Sequence, residues 1–177
     1  MSRILTYTKK MFDPLAPEVE LIDIRDIAHA LSYLCRANGH FTQFYSVCQH
    51  SINCAREAEA RGYSRRVQLA CLLHDASEAY LSDVTRPVKQ ELPRYKEIEE
   101  PLQDTIWGKW LTEPLNTIEY DQVFEIDDAI LEHEFVTLMQ YQLKDTLPEL
   151  KSQPYFEFRE FSQYEQEFLE LFEELTT

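Results

Sequence analysis

The run Arg65-Arg66-Val67-Gln68-Leu69-Ala70-Cys71-Leu72-Leu73-His74-Asp75 decides how this chain folds. Val67 and the block Leu69 to Leu73 carry almost no polar break, so a helix built from them is buried on most sides. Ser64 stands in the N-cap position, and the spacing predicts a helix from Arg65 to about Leu81 as the central one of the fold. Outward from it, Ile24, Ile27, Ala28, Leu31 and Leu34 recur at three- and four-residue steps, which predicts a first helix near Asp23 to Arg36 closed by a left-handed cap at Asn38-Gly39. A second helix is expected from about Phe44 to Arg61, ending at Gly62. Pro93 opens a fourth through Trp110, with Pro101 inside it as a site for a kink, and Pro114 separates that from a fifth over roughly Glu119 to Asp145. From Arg159 to Leu175, Phe161, Tyr164, Phe168, Leu171, Phe172 and Leu175 share one face of an amphipathic helix, and glutamates take the solvated face. Strand-like alternation is confined to Ile4-Leu5-Thr6-Tyr7-Thr8, which fits one short strand or hairpin arm. With no repeat, low-complexity tract or linker, the expectation is a single all-α domain over residues 1–177.

At 177 residues, 44% hydrophobic and 28% charged, the chain can build one sizeable core. Seventeen basic against 32 acidic residues leave a net charge of -15, a surface field that repels polyanions and argues against nucleic-acid binding. No apolar run approaches the roughly 18 residues of a membrane span. The start, Met1 to Asp13, carries lysines and an acid where a signal peptide carries a greasy stretch, so a cytoplasmic location is expected. Cys35, Cys48, Cys54 and Cys71 form no CxxC pair and read as reduced, half-buried thiols.

Chemistry concentrates where the apolar run ends. His74 and Asp75 follow Leu73 directly, and a polar pair there needs hydrogen bonding or a metal to offset its desolvation. Glu78 falls at i+4 from His74 and i+3 from Asp75, and Asp83 follows. His50 sits on the inward side of the second helix with Val47 and Cys54, and Asp127 lies at the start of the apolar stripe of the fifth, where the other reading is a helix-dipole or capping role. Together His50, His74, Asp75 and Asp127 offer two imidazoles and two carboxylates from three helices, the donor set of a mononuclear metal site, with Glu78 and Asp83 left for acid and base work. That donor set suits zinc, manganese, cobalt or iron alike. His29 reads as a hydrogen-bonded structural histidine, His133 as solvated or ion-paired, and Trp107 and Trp110 as core or subunit contact.

At these residues the chain resembles the HD-domain metal-dependent phosphohydrolases, in the compact bacterial and phage branch related to the 5'-deoxynucleotidases. The resemblance runs over about residues 22–140. It is carried by Asp26-Ile27-Ala28-His29, Arg36, the segment Phe44 to Ser51, Leu72-Leu73-His74-Asp75-Ala76-Ser77-Glu78-Ala79-Tyr80, Asp83, Pro87-Val88-Lys89, Asp127 and Glu134. It implies an HD-domain helical bundle in which His50, His74, Asp75 and Asp127 hold one divalent transition metal. Asp128 is the near rival to Asp127, and the family's interval of seven residues between the metal acid and a glutamate, here Glu134, favours Asp127. The resemblance further implies that Glu78 positions or deprotonates the attacking water, that Asp83 partners it in proton transfer, and that Arg36 and Lys89 meet substrate phosphate.

The expected activity is release of phosphate from a 2'-deoxynucleoside monophosphate in a bacterial or phage-infected host cytosol, by a homodimer or higher homo-oligomer. The alternative within the branch is a triphosphohydrolase, for example on dATP, and a remoter one is a metal- or nucleotide-binding module without turnover. The sequence departs from the family pattern twice: Phe124 stands where a phosphate-side lysine is usual, which weighs against a triphosphate grip, and Ala37 stands where the nucleotidases carry a tryptophan, leaving that part of the pocket open or filled by another side chain such as His40.

Overall fold

Several of the main helices start on a residue able to satisfy their free amides. Asp23 accepts from the Arg25 amide at the start of α1 (Ile24–Tyr33), Ser46 from Gln49 at α2 (Val47–Ala60), and Ser64 from Val67 at α3 (Arg65–Leu72). Two single-turn helices follow, α4 (Glu78–Leu81) and α5 (Arg86–Gln90). Then comes α6 (Pro93–Trp110), which runs through Pro101 unbroken. A reciprocal Asn116–Glu119 box opens α7 (Thr117–Met139), and α8 (Phe161–Thr176) closes the chain. The computed structural model describes residues 3–177; Met1 and Ser2, which begin the 1–13 stretch considered for a leader, lie outside the described residues.

The architecture is an all-α bundle with a small N-terminal hairpin, β1 (Ile4–Leu5) antiparallel to β2 (Met11–Phe12), in the register Ile4 opposite Phe12. Thr8 in its turn bonds Asp26 of α1 through both amide (2.6 Å) and hydroxyl (2.9 Å), pinning the hairpin to the bundle. The neighbouring helices α2 and α3 form the centre, α7 packs against both, and α8 lies against α1, α2 and α3. Ile27, Leu31, Leu72, Leu73, Ile126 and Phe168 are among the fully buried side chains that meet there. The aromatic face of α8 therefore covers the protein's own core, and Trp107 is buried with it. No helix among the described residues is long and apolar enough to cross a membrane.

Three helix ends differ from the sequence expectation, and the second helix starts at Val47 rather than about Phe44, because Ser46 caps it. The first helix stops at Tyr33, because Cys35 leaves to bridge Ser46 in extended conformation, and the left-handed residues Ala37 and Asn38 belong to a separate turn at residues 36–39. The central helix stops at Leu72. Gln103 of α6 takes over the freed backbone there, accepting from the Ser77 amide (3.1 Å) and donating to the Leu73 carbonyl (2.7 Å). The fifth helix ends at Met139, where Gln140 turns left-handed. Three of the four free cysteines, Cys48, Cys54 and Cys71, are fully rather than half buried.

The segment after α7 is held to α2 by a ladder of side chains one turn apart. Gln49 donates to the carbonyls of Tyr155 and Glu157, Asn53 both donates to and accepts from Tyr155, and Glu57 accepts from the amides of Lys151 and Ser152, the Ser152 hydroxyl and Arg61. Glu57 is inaccessible to solvent though it lies shallow, just beneath this strap. Burial alone would raise its pKa, but the bonds from Ser152, Arg61 and the two amides outweigh it and hold the carboxyl below its ordinary 4.5. Glu57→Ala leaves buried N–H groups unpaired and is expected to cost about 2–3 kcal/mol, read by urea unfolding at pH 7. Because the folded-state pKa is the lower one, that contribution is full above pH ~5 and fades as pH falls through the folded value, so the gap between wild type and variant should narrow in acid.

Candidate metal centre

The break after α3 aims the centre. His74 follows the cap residue Leu73, and its Nδ1 donates to the Cys71 carbonyl (2.7 Å), which turns Nε2 inward. On α2, His50 Nδ1 faces the fully buried Glu134 of α7 at 2.5 Å. Burial would raise the Glu134 carboxyl, but Arg36 and His50 hold it down at about 2, so it stands ionised and accepts the His50 proton. With Nδ1 of each ring committed to an acceptor, Nε2 is the atom that each imidazole can offer to a metal. The two Nε2 atoms face each other at 3.1 Å.

Two carboxylates close on the same point. Asp127 Oδ1 lies 3.1 Å from His50 Nε2 and 3.7 Å from His74 Nε2, and Asp75 Oδ2 lies 3.7 and 3.4 Å from the same atoms. Donors held about 2.0–2.2 Å from a metal stand roughly 2.9–3.6 Å apart at octahedral or tetrahedral angles, a range that holds the separations of 3.1 and 3.4 Å and lies just short of the two of 3.7 Å. Lone pairs and anionic oxygens this close repel unless a cation or proton stands among them. His50, Cys54 and His74 also form a buried group, with ligand atoms within 4.8 Å of one another, that can hold a metal ion. Cys54, one turn after His50, places Sγ 3.5 Å from His50 Nε2, a proximity that i+4 spacing could have flagged and the thiol reading missed. Burial pushes that thiol up to about 11, so unligated it is protonated.

Asp127 lies in the middle of α7, which removes the capping and helix-dipole alternative, since those effects fade beyond the first turn. Its neighbour Asp128 points outward to Arg86 (2.7 Å) and Lys144 (3.6 Å). Arg86, absent from the sequence reading, also reaches Asp127 Oδ2 at 3.2 Å.

Arg36, expected to meet phosphate, is buried against the acids. It lies 3.1 Å from Asp75, 3.2 Å from Glu134 and 3.9 Å from Asp127. Burial opposes its charge, and Glu134, Asp75 and Asp127 overcome that, raising its pKa well above the ordinary value. Lys89 is bound to Glu99 (2.6 Å) and stands 3.7 Å from Glu78.

Glu78 is buried, begins α4, and its Oε2 has no hydrogen-bond partner among the described residues. Burial first, then the charges of Asp75 and Asp83, raise its pKa well above 4.5. Asp83 is raised too, chiefly by burial, and accepts from the amide of left-handed Ala37. A cavity of about 410 Å³ between α1 and α4 is bordered by Glu78 and by none of the four candidate ligands.

The remaining histidines lie elsewhere. His29 pairs with Glu165 (2.9 Å) and stacks on Tyr7, and His133, read as solvated or ion-paired, donates to the Pro148 carbonyl (2.8 Å). Phe124 is exposed and packs on Tyr120.

No protein-family profile matches the chain. It is 37% identical over 115 residues to the uncharacterized protein YfdR of Escherichia coli K12, a match covering 65% of this chain and 62% of that protein. It is 40% identical over 99 residues to an uncharacterized protein of Rhodobacter capsulatus, covering 52% of this chain and 50% of the relative. The chain is thus similar to both over stretches that span about half to three fifths of the relatives' own lengths.

Proposed function

We propose that the protein is a metal-dependent phosphohydrolase acting on 2'-deoxynucleotides, of the 5'-deoxynucleotidase type. The observation that carries the reaction class is the convergence of His50 Nε2, His74 Nε2, Asp75 Oδ2 and Asp127 Oδ1 beside a buried carboxyl, Glu78. These four residues would hold one divalent transition metal, with Cys54 lining the centre. A bound divalent metal lowers the pKa of its water and offsets charge on phosphoryl oxygens. Glu134 and the Cys71 carbonyl orient the two imidazoles, as carboxylate and carbonyl partners of metal-bound histidines do. Glu78, a buried carboxyl whose pKa burial raises above its ordinary range, takes the proton of the attacking water, and Asp83 passes a proton to the leaving ester oxygen. The deoxynucleotide class rests on the resemblance carried by His50, His74-Asp75, Glu78, Asp83 and Lys89.

The test begins with metal analysis of the purified protein. Release of phosphate, triphosphate and nucleoside is then followed from deoxynucleoside mono- and triphosphates in zinc, manganese or cobalt. One metal per chain, with deoxynucleoside and phosphate released from a monophosphate, is expected. Triphosphate released from dATP would move the activity to the alternative branch, and metal without turnover would leave only a binding module. Cys54→Ser is expected to keep the metal, and its loss there would make the thiol a ligand. Adding metal to chelated protein should stabilise it by about 2.7 kcal/mol at 100 times Kd.

A further inference from the structure

Three cationic side chains border the centre, and they differ in freedom. Arg36 is buried and spent on three carboxylates, and Lys89 is bound to Glu99. Arg86 is the open one, its side chain 55% exposed at the first residue of α5, where Pro87 stiffens the turn. Its guanidinium spans Asp127 Oδ2 at 3.2 Å and Asp128 Oδ1 at 2.7 Å. Asp127 is therefore shared, with Oδ1 facing the imidazoles and Oδ2 facing Arg86. Any cation held by the imidazoles and Oδ1 draws charge from that carboxylate and loosens its grip on Arg86. Asp128, 41% exposed, is left as a resting partner that a better anion can replace. A phosphate group offers the planar, two-pronged guanidinium a closer match than two separate carboxylates do.

We propose that Arg86 is a specificity-determining residue that captures the phosphate of the incoming substrate at the mouth of the centre, a role that rests on the phosphohydrolase reading above. Asp128 holds the guanidinium in place until the phosphate arrives. This assigns the phosphate grip to the rim, in place of the buried Arg36.

The experiment uses the metal-loaded protein, with inorganic phosphate titrated calorimetrically and kinetics measured on a deoxynucleoside monophosphate. Arg86→Gln is expected to weaken phosphate binding and raise KM by about 10- to 100-fold, the scale of a charge-assisted hydrogen bond, with kcat and metal content little changed. Asp128→Asn removes the resting partner and should tighten phosphate binding about two- to fivefold, as loss of a rim ion pair implies. Unchanged phosphate affinity in Arg86→Gln, or no phosphate binding by the wild type, overturns the proposal. So does loss of metal from Arg86→Gln with phosphate binding restored by excess metal, because Arg86 would then only position Asp127. Phosphate binding that depends on Arg86 in a protein that turns over no nucleotide supports the capture role and defeats the phosphohydrolase reading alone.

Discussion

Replacing Glu78 with glutamine is expected to slow phosphate release by about 10²- to 10⁴-fold, the usual worth of a positioned general base, while the metal stays bound. The amide keeps the volume and removes the proton acceptor. Glu78 is not among the four converging donors, so metal content measured alongside the rate separates lost chemistry from a lost centre. Stability supplies a second readout. A carboxyl that burial and two neighbouring acids hold well above its ordinary pKa, with one oxygen unpartnered among the described residues, opposes folding at neutral pH. The variant should therefore melt no lower than the wild type, the pattern of a group kept for function at a cost in stability. Unchanged turnover in Glu78→Gln would remove the assigned base, and a large fall in melting temperature would recast Glu78 as structural.

Glu134→Ala carries the largest expected effect on stability. Glu134 is fully buried and accepts from Arg36 Nε at 3.2 Å, His50 Nδ1 at 2.5 Å and the Tyr45 hydroxyl. Removing it leaves a buried guanidinium short of one counter-charge and a buried imidazole N–H unpaired, a loss of about 3–5 kcal/mol. For a chain of this length that corresponds to roughly 6–20 °C in melting temperature, measured by calorimetry. Glu134→Gln keeps an acceptor for His50 and should cost less stability, while weakening metal binding about 10- to 100-fold, as loss of a carboxylate behind a metal-bound histidine does. If Glu134→Ala melted within 1 °C of wild type, the Arg36–Glu134–His50 chain would not be the support described for this centre.

Helix periodicity and caps were legible from single residues. Ser64, Pro93 and the apolar stripe of 161–175 each act within a turn or two of their own position, so the helix starts they specify lie where the pattern predicts, although the helix begun at Ser64 ends early. The donor types were legible as well, because polar residues set directly against an apolar run, as His74 and Asp75 are, demand partners wherever the chain goes. The four candidate ligands nominated from spacing do converge.

What escaped the sequence depends on contacts between distant segments. The break after Leu72 comes from Gln103, about 30 residues on, which replaces the helix's own hydrogen bonds. The strap at 151–157 rests on the ladder of Gln49, Asn53 and Glu57, whose i, i+4 spacing resembles any polar helix face until a backbone lies across it. Arg36 and Arg86 look alike in sequence, yet packing buries one against three acids and leaves the other open at the rim.

The sequence by itself determined where the main helices run, the cap at Ser64 and the chemical kinds of the donors, since propensity, capping and the cost of burying charge are local. Only the tertiary structure decided that Asp128 pairs outward with Arg86 and Lys144, that the Cys54 Sγ comes within reach of the imidazoles, and which cation is free to meet an anion. Those choices depend on which side of a helix meets another segment, and packing of the whole chain sets that.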